Sequence, residues 1–133
     1  MKWKSFGLLW ILGGILCIAG CDGGGGPTGP SDAPILSNIS VNSTQARPGS
    51  TIIFYIDFVD ISGDVIGGTA FISDSQNNGY QEVVSDTDGT GRALTTFITL
   101  SPLMTPGIVT FNIVVQDLGG NSSNIISVTI TIV

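Results

Sequence analysis

The residues with spacing suited to chemistry are carboxylates. Asp57, Asp60 and Asp64 follow one another closely, and Asp86-Thr-Asp-Gly-Thr-Gly91 sets Asp86 and Asp88 at alternate positions before a glycine. Oxygen ligands at such spacing suit a hard divalent cation, calcium above all. Counted from Asp86, however, the twelfth place is Phe97, where a helix-flanked calcium loop needs a bidentate carboxylate. Asp-Gly is also a strong hairpin signal, so 86–91 reads first as a turn. In a sandwich the loops after the second and sixth strands share an end, so Asp60, Asp64 and Asp117 are a second candidate group for a cation, although scattered loop aspartates more often cap turns. Catalysis has little to draw on. The chain has no histidine, and its only lysines are Lys2 and Lys4. A serine nucleophile would lack its usual base. Asp86 and Asp88 are the obvious acid–base pair, but a hairpin tip leaves them in water. An enzyme is not expected.

Cys21 offers a different chemistry. Met1-Lys2-Trp3-Lys4 is a short basic segment, and Phe6 to Ile18 is uncharged and almost wholly apolar or glycine. That run fits the apolar region of a secretory signal and falls short of the roughly 20 residues a spanning helix needs. Directly behind it stands Ile18-Ala19-Gly20-Cys21: a branched apolar residue, two small residues, then a thiol. Small residues let a peptidase approach the backbone closely, and the thiol is a nucleophile for lipid transfer. The tetrapeptide resembles the lipobox of bacterial lipoproteins. The resemblance implies that residues 1–20 are a signal peptide cut between Gly20 and Cys21. It also implies that Cys21 carries a diacylglycerol thioether and an N-acyl chain such as palmitate. Several acyl chains, at about 0.8 kcal/mol per buried methylene, hold a small domain on a bilayer. The destination is then the cell membrane or the outer membrane, with the domain in the periplasm or on the cell surface. Asp22 resembles the inner-membrane retention signal of enteric bacteria and leaves that choice open.

A chain beginning at Cys21 has 113 residues, two of them basic (Arg47, Arg92) and ten acidic, for a formal charge of −8. Nucleic acid is held by clustered Lys and Arg, so it is excluded as a partner, as is electrostatic adhesion to anionic lipid. Cys17 leaves with the signal and Cys21 is lipidated, so no disulfide remains to staple the domain. Residues 22–33, with four consecutive glycines at 23–26, have no apolar periodicity and read as a flexible tether behind Cys21. No strand precedes those glycines and no helix follows, so they do not form a phosphate loop.

From Pro34 to Val133 the apolar period is two. Ile52, Phe54, Ile56 and Phe58 share one face; so do Val109, Phe111, Ile113 and Val115; so do Ile126, Val128, Ile130 and Ile132. Such alternation marks half-buried antiparallel strands. Seven strands are expected, at about 35–42, 51–59, 65–73, 79–85, 91–100, 108–116 and 124–133, separated by Gly, Pro, Asn and Asp turns. The expected architecture is an all-β, immunoglobulin-like antiparallel sandwich, with a small closed barrel as its rival. Pro106-Gly-Ile-Val-Thr-Phe-Asn-Ile-Val-Val-Gln-Asp117, then Gly120-Asn121-Ser122 and an alternating last strand, resembles the C-terminal half of bacterial Ig-like domains. Ala46-Arg-Pro-Gly-Ser50 agrees with the first half. The resemblance covers about 34–133 and implies the sandwich without fixing a function.

The outward positions are unusually apolar: Ile53, Tyr55 and Val59 on the second strand, Ile125 and Val133 on the last. Such a face can mark a partner surface, and an uncharged edge strand can accept another strand. Tyr55 and Tyr80, on separate strands, make a poor sugar platform. The expectation is a lipid-anchored, non-catalytic binding, adhesion or scaffolding module with a protein partner in the envelope or at the cell surface. The alternative is a calcium-stabilised adhesion or carbohydrate-binding module.

Overall fold

The alternating segments bury most of the residues that their period assigns to the core; Ile126 and Val128 are only partly buried. A computed structural model describes residues 32–133; the signal, the lipobox with Gly20 and Cys21, and the tether up to Ser31 lie outside the described residues. Among the described residues there are nine strands: β1 (Ile35–Val41), β2 (Gln45–Ala46), β3 (Thr51–Val59), β4 (Thr69–Asp74), β5 (Gly79–Val83), β6 (Ser85–Asp86), β7 (Ala93–Thr99), β8 (Gly107–Gln116) and β9 (Ile126–Ile132). They form a four-stranded sheet ordered β1-β3-β7-β6 and a five-stranded sheet ordered β2-β9-β8-β4-β5. All pairings are antiparallel except that of β2 with β9. The two sheets pack face to face, and the strand order is that of an immunoglobulin-like β-sandwich.

The core lies between the sheets. Ile52, Phe54, Ile56 and Phe58 of β3 face Val109, Phe111, Ile113 and Val115 of β8, and all eight are buried. The Phe54 and Phe111 rings meet at its centre, centroids 5.8 Å apart and tilted by 57°. Full burial of side chains this size contributes about 1.5–3 kcal/mol each, so the domain coheres with no disulfide among residues 32–133, which contain no cysteine.

Three expectations need correcting at their edges. The third strand begins at Thr69, not at 65. Val65 is 1 % exposed and plugs the end of the core from a turn, in which Gly68 N–H donates to the Val65 carbonyl at 2.9 Å. A Cβ on Gly68 would lie 2.3 Å from the Gln116 carbonyl oxygen, so the close approach of that turn to β8 needs glycine. The strand expected at 79–85 is two strands. It leaves the five-stranded sheet at buried Val84 and continues as β6 on the other sheet. The segment after β1 likewise crosses over: β2 pairs with β9 across from β1's own sheet. Two-residue strands carry no period, so neither crossing shows in the sequence.

Register gives the molecule two ends. The pairs Ile35 with Val59, Asp57 with Ala93, and Thr69 with Gln116 bring the loops at 60–68, 87–92 and 117–125 to the end where Asp32 enters. The turns at 42–50, 75–78 and 100–106 lie with Val133 at the other.

Candidate functional site

Asp60 follows β3, Asp64 stands in the loop before β4, and Asp117 follows β8. The topology brings both loops to one end, and Leu118 N–H donates to the Asp64 carbonyl at 3.1 Å, joining them. One carboxylate oxygen from each aspartate lies within 4.8 Å of the others. Each carboxylate also organises its own loop. Asp60 Oδ2 accepts from Val65 N–H at 2.9 Å, holding the core plug in place. Asp117 Oδ1 accepts from Asn121 N–H at 2.7 Å, and Oδ2 from the Asn121 amide at 3.0 Å. The Ser62 hydroxyl touches Asp60 Oδ1, at 2.8 Å, and Asp64 Oδ1. Its single proton serves one carboxylate at a time.

Asp117 is the buried member, 5 % exposed. Burial is the largest single influence on its pKa and pushes it up. The Asn121 side chain and the N–H groups of Asn121, Gly119 and Gly120 together outweigh burial and hold the carboxyl below its ordinary value. Asp117 is therefore charged at neutral pH beside Asp64 and Asp60. Like charges at about 4 Å repel by about 1 kcal/mol per pair in water, and by more where water is partly excluded. Arg47 and Arg92 are the only basic residues in 32–133, and Arg47 lies at the far end. Gly119 lets the carboxylates approach: a Cβ there would sit 3.1 Å from Asp64 Oδ2 and 3.3 Å from Asp117 Oδ1. The arrangement suits oxygen coordination of a hard cation.

No protein-family model matches the chain, and no curated protein sequence matches it. Function is read from its own residues.

Asp86 and Asp88 do not join the cluster. Asp86 Oδ2 accepts from Gly91 N–H at 3.0 Å, and Asp88 Oδ1 from Thr90 N–H at 3.0 Å and the Thr90 hydroxyl at 2.6 Å. The Thr90 hydroxyl and N–H hold the exposed Asp88 carboxyl below its ordinary value. Both aspartates are turn caps of the hairpin between β6 and β7, the turn expected from Asp-Gly.

A second buried aspartate stands at the opposite end, and the sequence reading missed it. Asp74 is 6 % exposed and closes the β4–β5 turn. It accepts from Gln76 N–H at 2.8 Å, Asn78 N–H at 3.0 Å, the Asn78 amide at 2.9 Å and the Tyr80 hydroxyl at 3.1 Å. Burial, opposed by a backbone hydrogen bond at Ser101 and reinforced by Asp74, holds the Tyr80 phenol above its ordinary pKa. An aspartate two residues before glutamine and four before asparagine, inside a turn signal, was the available clue.

The outward faces carry the expected apolar residues in part. Val59, Ile125 and Val133 are more than half exposed, Tyr55 less so, and Ile53 is half-buried opposite Phe97 of β7. On the five-stranded sheet, Val114 pairs with Phe71 and Phe71 with Gln81. With Ile125, Asn112 and Gly79 these line an open groove of about 460 Å³.

Proposed function

We propose that the protein is a bacterial lipoprotein, held on a membrane through Cys21, with one non-catalytic Ig-like β-sandwich acting as a binding, adhesion or scaffolding module in the cell envelope. The observation that carries this reading is Ile18-Ala19-Gly20-Cys21 standing directly behind an uncharged apolar run, with the described domain starting only eleven residues after the cysteine. Its support from the domain is chemical. The buried aspartates Asp74 and Asp117 serve turns, and histidine is absent. The partners are the bilayer, through the anchor, and a protein of the envelope or the cell surface. Mass spectrometry of the N-terminal peptide tests the anchor. Diacylglyceryl and acyl masses on Cys21 support it; an unmodified Cys21 overturns it. Cys21→Ser should leave uncleaved, unlipidated precursor. Protease treatment of intact cells then separates a surface domain from a periplasmic one.

A second reading is favoured by one observation, the convergence of Asp60, Asp64 and Asp117. In it the domain is calcium-stabilised and serves adhesion or carbohydrate binding. A cation that binds only the folded state at 100 times its dissociation constant adds about 2.7 kcal/mol. Melting in millimolar calcium against excess chelator decides it: an unchanged midpoint removes the cation from this loop end.

A further inference from the structure

The sandwich has four lateral edges, and two of them are guarded. At β1 the register shifts between Leu36 and Ile39. The Asn124 side chain there occupies both outward backbone groups of Leu36, with N–H at 2.8 Å and C=O at 3.0 Å. β2 covers β9 only at Thr131 and Ile132, so that edge is partly open as well. β5 carries Glu82 next to its last residue. Bulges, short covering strands and edge charges are the usual means of keeping a sheet from growing.

The fourth edge, β7, is covered over only half its length. β6 reaches Leu94 and Thr95 and no further. The direction of the remaining backbone groups follows from the ladder. Ile53 N–H donates to Asn42 Oδ1 at 2.9 Å, and the Ile53 carbonyl accepts from Asn42 N–H at 3.1 Å. Both groups of Ile53 therefore point toward β1, and its pair with Phe97 is a non-hydrogen-bonded one. Phe58 N–H to the Arg92 carbonyl at 3.1 Å, and Leu100 N–H to the Ser50 carbonyl at 2.9 Å, fix the same phase at both ends of β7. Even-numbered residues of β7 bond β3; odd-numbered ones face outward. Ala93 gives its carbonyl to Thr87, and Thr95 pairs with Ser85. Phe97 and Thr99 have no strand beside them among the described residues. Both are exposed, Phe97 by 54 %. No charged residue occurs from 93 to 116. The edge is bare because the chain leading into β6 arrives from β5 in the other sheet.

We propose that this open edge, at Phe97 and Thr99 of β7, is the docking site for an extended peptide segment of a protein partner, added as a short strand in line with β6. This locates the partner-binding reading and rests on it. The charge of the domain sets the chemistry of the segment. Asp86 continues the same edge, and Glu82 lies on β5, which packs against β7. An uncharged or basic strand is therefore accepted and an acidic one refused. A second copy is the poorer occupant, since each chain from Cys21 carries −8 and its strands contain no basic residue.

The test is a titration of the full-length, isotope-labelled protein in detergent with the peptide Lys-Thr-Ile-Thr-Val-Thr-Lys at millimolar concentration. Phe97 and Thr99 amides should shift and exchange with solvent at least tenfold more slowly. The same peptide N-methylated at alternate residues should have no effect. Phe97→Pro removes an N–H that β3 does not use, so the fold is retained and peptide protection at Thr99 is lost. The proposal is overturned by unchanged amides, by an equal response to the N-methylated peptide, or by Phe97 and Thr99 amides already protected without peptide. Sedimentation showing a dimer that Phe97→Pro dissolves would overturn the choice of occupant. Loss of lipid from Cys21 would remove the anchor and leave the titration unchanged, so the two readings fail separately.

Discussion

Asp74 and Asp117 are the same residue, buried to the same degree, at opposite ends of one sandwich. Asp74 is surrounded by donors: two backbone N–H groups, one amide and one phenol. Asp117 has donors on its own loop and two further carboxylates beyond it. One end has satisfied its charge; the other has brought three carboxylates together. Burial alone therefore says little about the role of an acid. What separates a turn cap from a candidate ligand is the surroundings left over once local donors are counted.

The contrast can be broken by mutation. Asp74→Ala strands four donors and should cost about 3 kcal/mol in urea unfolding, because a charged acceptor contributes more than a neutral one. A loss below about 1 kcal/mol would deny Asp74 its role. The alkaline limb reports the same end. The Tyr80 phenol is raised in the folded state, so its contribution is whole below about pH 10, the unfolded value, and is lost as pH rises through the folded one. Tyr80→Phe should flatten the stability curve above about pH 10 and lower stability at neutral pH by about 1 kcal/mol.

The acidic end should answer with the opposite sign. Asp64→Asn relieves repulsion among three carboxylates and should raise stability by about 0.5–1 kcal/mol in chelator. If calcium binds there, the same substitution becomes destabilising in millimolar calcium, and thermal melts in the two buffers read the reversal. The smallest effect is expected at acid pH. Asp117 is depressed in the folded state, so its contribution is present above the ordinary carboxylate value, about 3.9, and fades as pH falls through the lower folded one. Asp117→Asn should make the acid limb shallower, measured as unfolding midpoint against pH from about 5 to 2.

Much of the fold was legible because burial on one face leaves a period. β3 and β8 alternate without a break, and their inward residues read directly from the chain. The sandwich then implied that the loops after β3 and β8 share an end, which brought Asp60, Asp64 and Asp117 into view together. Val65 misled because an apolar residue before a strand looks like part of it; its turn is set by Gly68 and by the Asp60 cap, which only contact reveals. β2 and β6 are too short for any period. Asp74 was passed over because a turn signal names the turn and not the residue that seals it. The open half of β7 depends on where β5 leaves its sheet, a three-dimensional event with no local signature.

The pairing of β2 with β9 has a mechanical consequence. The two strands run in the same direction, one near the start of the domain and the other at its end. Thr131 N–H bonds the Thr44 carbonyl and Val133 N–H the Ala46 carbonyl, each at 2.9 Å. Tension applied between Asp32 and Val133 would slide these strands past one another and load their hydrogen bonds together, not one after another. A domain pulled from its two ends is held by shear, the direction in which a short ladder resists best.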